Sequence, residues 1–336
     1  MMIHVAFSVW SSEQLSTPLI GESLQAERRP AARIAAAGRR RKLTMPDTPI
    51  AVTGATGAVG GRVAARLSAR GIAQRLLVRD PVRAPNLPDA EIALVSSYED
   101  KEGMRRALTG VDTLFLVSGR ESADRVQHHI AAVDAALAAG VQRIVYLSFL
   151  HAAPNATFTL ARQHFHTEEH IRAVDVHCTF LRPCLYLDSV IKLVGDDGVI
   201  RGPAGESRAA WIARDDLADV ATAVLTSGGH DGTAYDVTGP EALSLTACAQ
   251  QLSEVTGRRI SFYNETVAEA WESRAGYGAP DFEVEGWITS YRAIATGEMG
   301  PASDIVSELA GHPAQTLREY LRRYPESYQP LVAAPP

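Results

Sequence analysis

Cysteine is scarce in this chain of 336 residues: there are three, Cys178, Cys184 and Cys248, and none stands in a C-x-x-C spacing. That argues against both a disulfide framework and a cysteine zinc site, and it fits a reducing cytoplasm. Positive charge is not in excess either, since 33 Lys and Arg face 39 Asp and Glu for a net charge of −6. Phosphate backbones are bound by clustered cations that release counterions, so nucleic acid is not an expected partner. No apolar run approaches the roughly 18 residues that a membrane helix requires. "IHVAFSVW" is short and preceded by no basic residue, so it does not read as a secretory signal. What the chain does have is apolar content, 46% of its residues, enough for a large core in one or two domains.

The first 44 residues differ from the rest. They hold "ERRPAAR" and "GRRRKL", show no strand alternation, and end just before "MPDTPIAVTG". A basic, acid-poor stretch with little to bury reads as a disordered extension over 1–44. A targeting segment and an interaction arm are the other two readings.

From Ile50 onward, apolar strands alternate with amphipathic helices. "IAVTG" is followed by helix "GGRVAARLSARG", strands "QRLLVRD" and "EIALVSS", helix "EDKEGMRRALTG", strand "DTLFLVSG", helix "ADRVQHHIAAVDAALAAG" and strand "RIVYLSF". This order predicts an α/β fold, a Rossmann-type doubly wound parallel sheet with right-handed crossovers, over 45–182. Helix "TLARQHFHTEEHIRA" and strand "CTFLRP" extend it, and helix "DDLADVATAVLTS" and strand "TAYDVTG" return to it over 212–240. Residues 183–211 and 241–325 are expected to form a smaller, mostly helical lobe on the substrate side, with 326–336 as a tail.

In "AVTGATGAVGG" Gly54, Gly57 and Gly60 lie three apart, directly behind a strand and opening a helix. A dinucleotide needs this: one glycine for the tight turn, one for close backbone approach to the pyrophosphate, one for helix–strand packing, with the helix amino end facing the phosphates. Thr56, Ala58 and Val59 belong to the same cradle. The second strand ends "LLVRDP", placing Arg79 where an arginine can pair with a ribose 2′-phosphate, which predicts NADPH as cofactor. The alternative is that Asp80 takes a free ribose hydroxyl. Ser118 and Gly119 in "LVSG", and Ser148 and Phe149 in "YLSF", stand at further strand ends beside the cofactor path.

"TGATGAVGG", "LVRDP", "LFLVSG", "AALAAGVQRIVYLSFLHAA", "ARQHFHTEEHIRA" and "TFLRPCLYLD", in this order, resemble the NmrA-like atypical short-chain dehydrogenases, and within them the type 2 NAD(P)H:quinone oxidoreductases. The likeness runs from about Ile50 to Tyr324. It implies NADPH held by Gly54 to Gly60 and Arg79, with nicotinamide near Ser118, Ser148 and the segment from Pro183 to Asp188. It also implies a cleft between the lobes walled by Phe149, His151 and Tyr186. His151 capping a loop, and Tyr186 packing under the small lobe, are the alternatives.

The wider superfamily carries a Tyr-x-x-x-Lys pair on the helix after "YLSF"; here Phe165 and Glu169 occupy those places. No catalytic acid is therefore assigned. Hydride delivery to a ketone makes an alkoxide that needs a positioned acid, whereas a quinone yields a phenolate-like anion of far lower basicity. The reading is an NADPH-dependent oxidoreductase acting on a quinone or similar conjugated electrophile. Two rivals stand beside it: an NmrA-like NAD(P)-binding redox sensor without turnover, and a carbonyl or sugar-nucleotide reductase using His151 as acid. The partner is a small molecule, and a homodimer is left open.

"HTEEH", His166 to His170, also fits the H-x-x-E-H zinc pattern, but an ordinary helix of the dinucleotide fold is preferred and no metal is assigned. Glu168 and Glu169 read as a solvated helix face, and His128 and His129 as packing residues. Trp271, Trp287, Tyr277 and Tyr291 read as core, with stacking on an aromatic substrate as the alternative.

Overall fold

A computed structural model describes residues 48–332 of the chain. The expectations for residues 1–44 lie outside the described residues. The sheet is built from β1 (Ile50–Thr53), β2 (Gln74–Val78), β3 (Ala90–Leu94), β4 (Thr113–Val117), β5 (Arg143–Leu147), β6 (His177–Pro183) and β8 (Thr233–Val237). It runs in the order β3-β2-β1-β4-β5-β6-β8 with every neighbouring pair parallel. The order reverses between β1 and β4, so the carboxyl ends of those strands open into the switch-point crevice where such folds take ligands.

The strands alternate their side chains between two apolar layers. Ile50, Val52, Leu76, Phe115, Val145 and Leu181 face α1 (Ala58–Ala69) and α6 (Arg214–Leu225). Ala51, Leu77, Leu114, Leu116, Ile144 and Phe180 face α2 (Lys101–Leu108), α3 (Arg125–Ala138) and α4 (Thr159–Ala173). Burial on both faces is why these strands read as continuous apolar runs. β3 is the exception: it lies at the sheet edge, and Leu94 is exposed.

The remaining elements form the smaller lobe. They are α5 (Leu187–Lys192), β7 (Val199–Gly202), α7 (Leu245–Thr256), β9 (Ser261–Asn264), α8 (Val267–Arg274), α9 (Asp281–Ala295) and α11 (Leu317–Arg323), with the short α10 (Ile305–Ala310) lying on the sheet side instead. β7 and β9 pair in parallel as a separate two-stranded sheet. β7 falls within "GDDGVIRGPAGESR", which its turn residues suggested was irregular. α8 and α11 each start with a capping box, Thr266 with Glu269 and Thr316 with Glu319. Two features depart from the expected boundaries. Val306 of α10 packs in the sheet layer beside α6 rather than in the lobe. Tyr328 and Leu331, expected in a tail, pack against the lobe's core within short 3-10 turns.

Candidate active site

The glycine turn is shaped by close backbone contact. Gly54 has φ +63°, and the Gly57 N–H donates to its carbonyl at 2.9 Å. A Cβ on Gly60 would stand 2.3 Å from the Gly54 oxygen, so helix α1 can approach the end of β1 only through glycine. Gly57 caps α1 with no side chain over the first turn, leaving its N–H groups open toward the crevice. A Cβ on Gly57 would likewise press on the Gly54 oxygen at 3.2 Å, and one on Gly54 on the Val117 side chain at 3.1 Å, so glycine at these positions lets the turn close and keeps the first N–H groups of α1 at the cavity. The residues fit the dinucleotide that their spacing predicts.

A cavity of about 530 Å³ extends from this turn, within the range of small-molecule sites. Gly54, Thr56, Gly57, Ala58, Val59 and Gly60 line one end, with Arg79 where β2 leaves the sheet. Asp80 is engaged elsewhere, accepting from the Val82 N–H at 3.0 Å in the turn that follows. Ser118 and Gly119 line the middle of the cavity, and Ser148 and Tyr186 line it beyond the ends of β5 and β6.

Three residues expected at the site are not in the cavity wall. Phe149 is fully buried in the core against Phe158, their rings 5.0 Å apart. His151 is an exposed turn residue at φ +56°. Pro183 ends β6 inside the sheet, its carbonyl accepting from Leu150 N–H at 2.9 Å. Phe149 turns into the core next to Ser148, Pro183 is held within the sheet, and His151 stands on a turn four residues beyond β5 that points to solvent.

Behind the wall lies a network of buried polar groups. Ser148 Oγ donates to Glu168 Oε1 at 2.5 Å. The same carboxylate takes Arg182 Nε at 2.8 Å and Arg172 Nη2 at 2.7 Å. Glu168 is thus enclosed, not on a solvated face, because two guanidiniums and a hydroxyl satisfy it inside. Its neighbour Glu169 does remain exposed, paired with Arg172. With its proton committed to Glu168, Ser148 presents lone pairs to the cavity.

His129 is also fully buried. Its Nε2 accepts from the Gly119 N–H at 2.8 Å, and its Nδ1 faces Thr167 Oγ1 at 3.0 Å. Arg125, itself buried, donates to His164 Nε2 at 2.9 Å. Both imidazoles therefore carry their proton on Nδ1, assigned from these partners. Burial, with Arg125 next in importance, pushes both well below the usual histidine range. His129 fixes the backbone where β4 enters the cavity, a packing role as its sequence suggested. Its neighbour His128 lines the cavity and pairs with Glu99 at 3.0 Å.

The zinc reading of "HTEEH" meets a different geometry. His170 pairs with Asp134 at 2.9 Å, Glu168 turns inward, and His166 lies exposed on the edge of Phe165. Among the described residues, ligand atoms converge in threes only at Asp216, Asp219 and His312, where Arg66 and Gln315 already bind the two carboxylates.

Several further residues line the cavity. Tyr98 places its hydroxyl 2.6 Å from the Val117 carbonyl, and burial pushes it up to about 12. Arg214 stacks 4.1 Å over the Tyr186 ring and pairs with Asp188. Burial lowers its guanidinium to about 10, and burial likewise raises Tyr186 to about 12. Phe282 and Glu283, at the start of α9, reach the cavity from the small lobe. Phe282 is thus the lobe's aromatic wall; Trp287 and Tyr291 are buried in the lobe, and Trp271 and Tyr277 are not in the wall. Tyr98 sits just beyond β3, where the strand-end rule applied to Ser118 would have found it; Arg214, Phe282 and Glu283 are brought in only by tertiary packing.

The pattern of the NmrA-like family matches residues 46–277. The chain belongs to the NmrA-like family. It is 34% identical to a (4-alkanoyl-5-oxo-2,5-dihydrofuran-3-yl)methyl phosphate reductase of Streptomyces griseus, over 84% of this chain and 99% of that one. It is 32% identical to quinone oxidoreductase 2 of Escherichia coli, over 80% and 96% of the two chains. Its fold superposes on the crystal structure of the NADPH-dependent quinone oxidoreductase QOR2 of Escherichia coli complexed with NADPH, with a TM-score of 0.75 at 30% identity, covering 82% of this chain and 99% of that chain. In this NmrA-like protein no helix among the described residues is long and apolar enough to cross a membrane.

Proposed function

We propose that this protein is an NADPH-dependent reductase that delivers hydride to a quinone or a similarly conjugated electrophile, in the cytoplasm. The observation that carries this reading is one continuous cavity joining the glycine turn and Arg79 to Ser148, Tyr186 and Phe282. NADPH would supply the hydride. The pyrophosphate would lie on Gly57 to Gly60 at the amino end of α1, and the 2′-phosphate at Arg79. Ser148, its lone pairs turned to the cavity, and Tyr186 would border the nicotinamide. Phe282 offers a flat face for a planar acceptor, so the small lobe orients the ring and excludes water.

Quinone-like acceptors suit this chain because Phe165 and Glu169 stand where a tyrosine–lysine pair would activate an ordinary ketone. Phe165 is partly buried beside His166 and Glu169 is on the surface, and neither is in the cavity wall. The carbonyl-reductase alternative needs His151 as acid, and His151 is outside the wall as well. The test is NADPH oxidation by the full chain against benzoquinones and naphthoquinones, with NADH in parallel. Turnover preferring NADPH is expected. Tight NADPH binding with no acceptor reduced would overturn the reading and leave a redox sensor as the account.

A further inference from the structure

Glu121 lies two residues beyond Gly119 and lines the cavity, as does Glu283 from the other lobe. Its loop is held at the β5 side of the crevice. Gln163 of α4 donates to the Ser122 carbonyl at 3.0 Å and meets Arg125 Nη1 at 3.4 Å, while Gly119 is bound to His129. Glu121 faces Glu283, the neighbour of Phe282, so it stands in the part of the cavity that the small lobe covers. Ser148, whose hydroxyl also lines the cavity, has its proton on Glu168.

We propose that the Glu121 carboxyl is the proton donor of this site, protonating the oxygen anion left on the acceptor once hydride has been delivered. The proposal rests on the reductase reading above. The charged groups that face Glu121 are Arg120 of its own loop, Arg125 of α3 and Glu283 of α9. Withdrawal from water raises its carboxyl to about 7, with Arg125 opposing and Glu283 reinforcing the rise. A carboxyl in that range is half protonated near neutrality and can both give and regain a proton within a turnover. The balance is complete. The acceptor gains two electrons and one proton as hydride, and the cofactor is left oxidised. The Glu121 O–H bond breaks as the acceptor's new O–H bond forms, and the carboxylate regains its proton from solvent.

Two measurements on the full chain test this. Infrared difference spectra with oxidised cofactor bound, stepped from pH about 5 to about 9, should show a protonated-carboxyl band that titrates near neutrality and vanishes in Glu121→Gln. Its absence from the native protein overturns the proposal independently of turnover. In steady state, kcat/KM should fall with rising pH through the same range in the native protein and lose that limb in Glu121→Gln. The loss should reach about 100-fold for acceptors whose reduced anions are most basic, stay small for the least basic, and abolish the solvent isotope effect. Unchanged NADPH affinity and melting temperature would show that the variant is folded. A native pH limb that survives in Glu121→Gln but disappears in Tyr186→Phe overturns the proposal in favour of the tyrosine, while the reductase reading stands. If the band is present and no acceptor is reduced, the reductase reading fails and the donor role with it.

Discussion

Arg79 and Asp80 are adjacent in sequence, yet only Arg79 lines the cavity, because Asp80 is used to cap the turn Pro81–Arg83. Arg79→Glu is expected to raise the KM for NADPH by about 10- to 100-fold, the range of a lost charge-assisted hydrogen bond, and to leave NADH nearly unaffected. Parallel titration with the two cofactors checks it; equal losses would mean that Arg79 does not read the 2′-phosphate. His151→Ala should change kcat/KM by less than about twofold, since an exposed turn side chain outside the wall touches no reacting group. A large loss would return the carbonyl-reductase reading to contention. Glu168 shows what a one-residue view misses: beside Glu169 in sequence, it differs only in facing Ser148, Arg172 and Arg182 across the fold.

At the scale of elements, the meeting of β1 with α1 has no room for a side chain at Gly60. Gly60→Ala should destabilise the fold by about 1 to 3 kcal/mol, as overpacking does, and abolish NADPH binding, read by thermal melting and fluorescence titration. A variant that melts normally and binds normally would mean that the turn relaxes. The start of α9 makes the other element contact with the cavity. Phe282→Ala should raise the acceptor KM roughly tenfold, about the worth of a lost aromatic face, with the NADPH affinity unchanged. The glycine turn was legible because strand, spacing and helix form one local pattern. The start of α9 was not, since nothing near "APDFE" says which surface the helix will meet.

For the whole molecule, the buried imidazoles of His129 and His164 couple stability to pH. Both are held below their unfolded value near 6.5, so the unfolded chain takes up protons first as pH falls. Their stability is fully present above pH about 6.5 and is lost as pH falls from there toward their folded values, by about 1.4 kcal/mol per pH unit for each. Glu121, raised to about 7, has the opposite sign: its contribution is present below its unfolded value of about 4.3 and is lost as pH rises through 7. Urea midpoints between pH about 5 and about 7 should therefore show a weaker acid-side loss in His164→Gln than in the native chain, by that one histidine's slope. Identical slopes would mean that His164 does not stay neutral in the fold.

By itself, the sequence determined the parallel α/β order, the position of the glycine turn between β1 and α1 and the candidate 2′-phosphate residue, because each rests on local periodicity or on contacts within one βα unit. The tertiary structure alone decided which strand-end side chains face the crevice, removing Phe149, His151 and Pro183 from its wall. It also decided that Glu168 is enclosed, and that Glu121, Arg214, Phe282 and Glu283 share one cavity. Those outcomes depend on how the segments beyond the strand ends turn and on how the small lobe closes over them. They arise between residues far apart in the chain, and no local pattern encodes them.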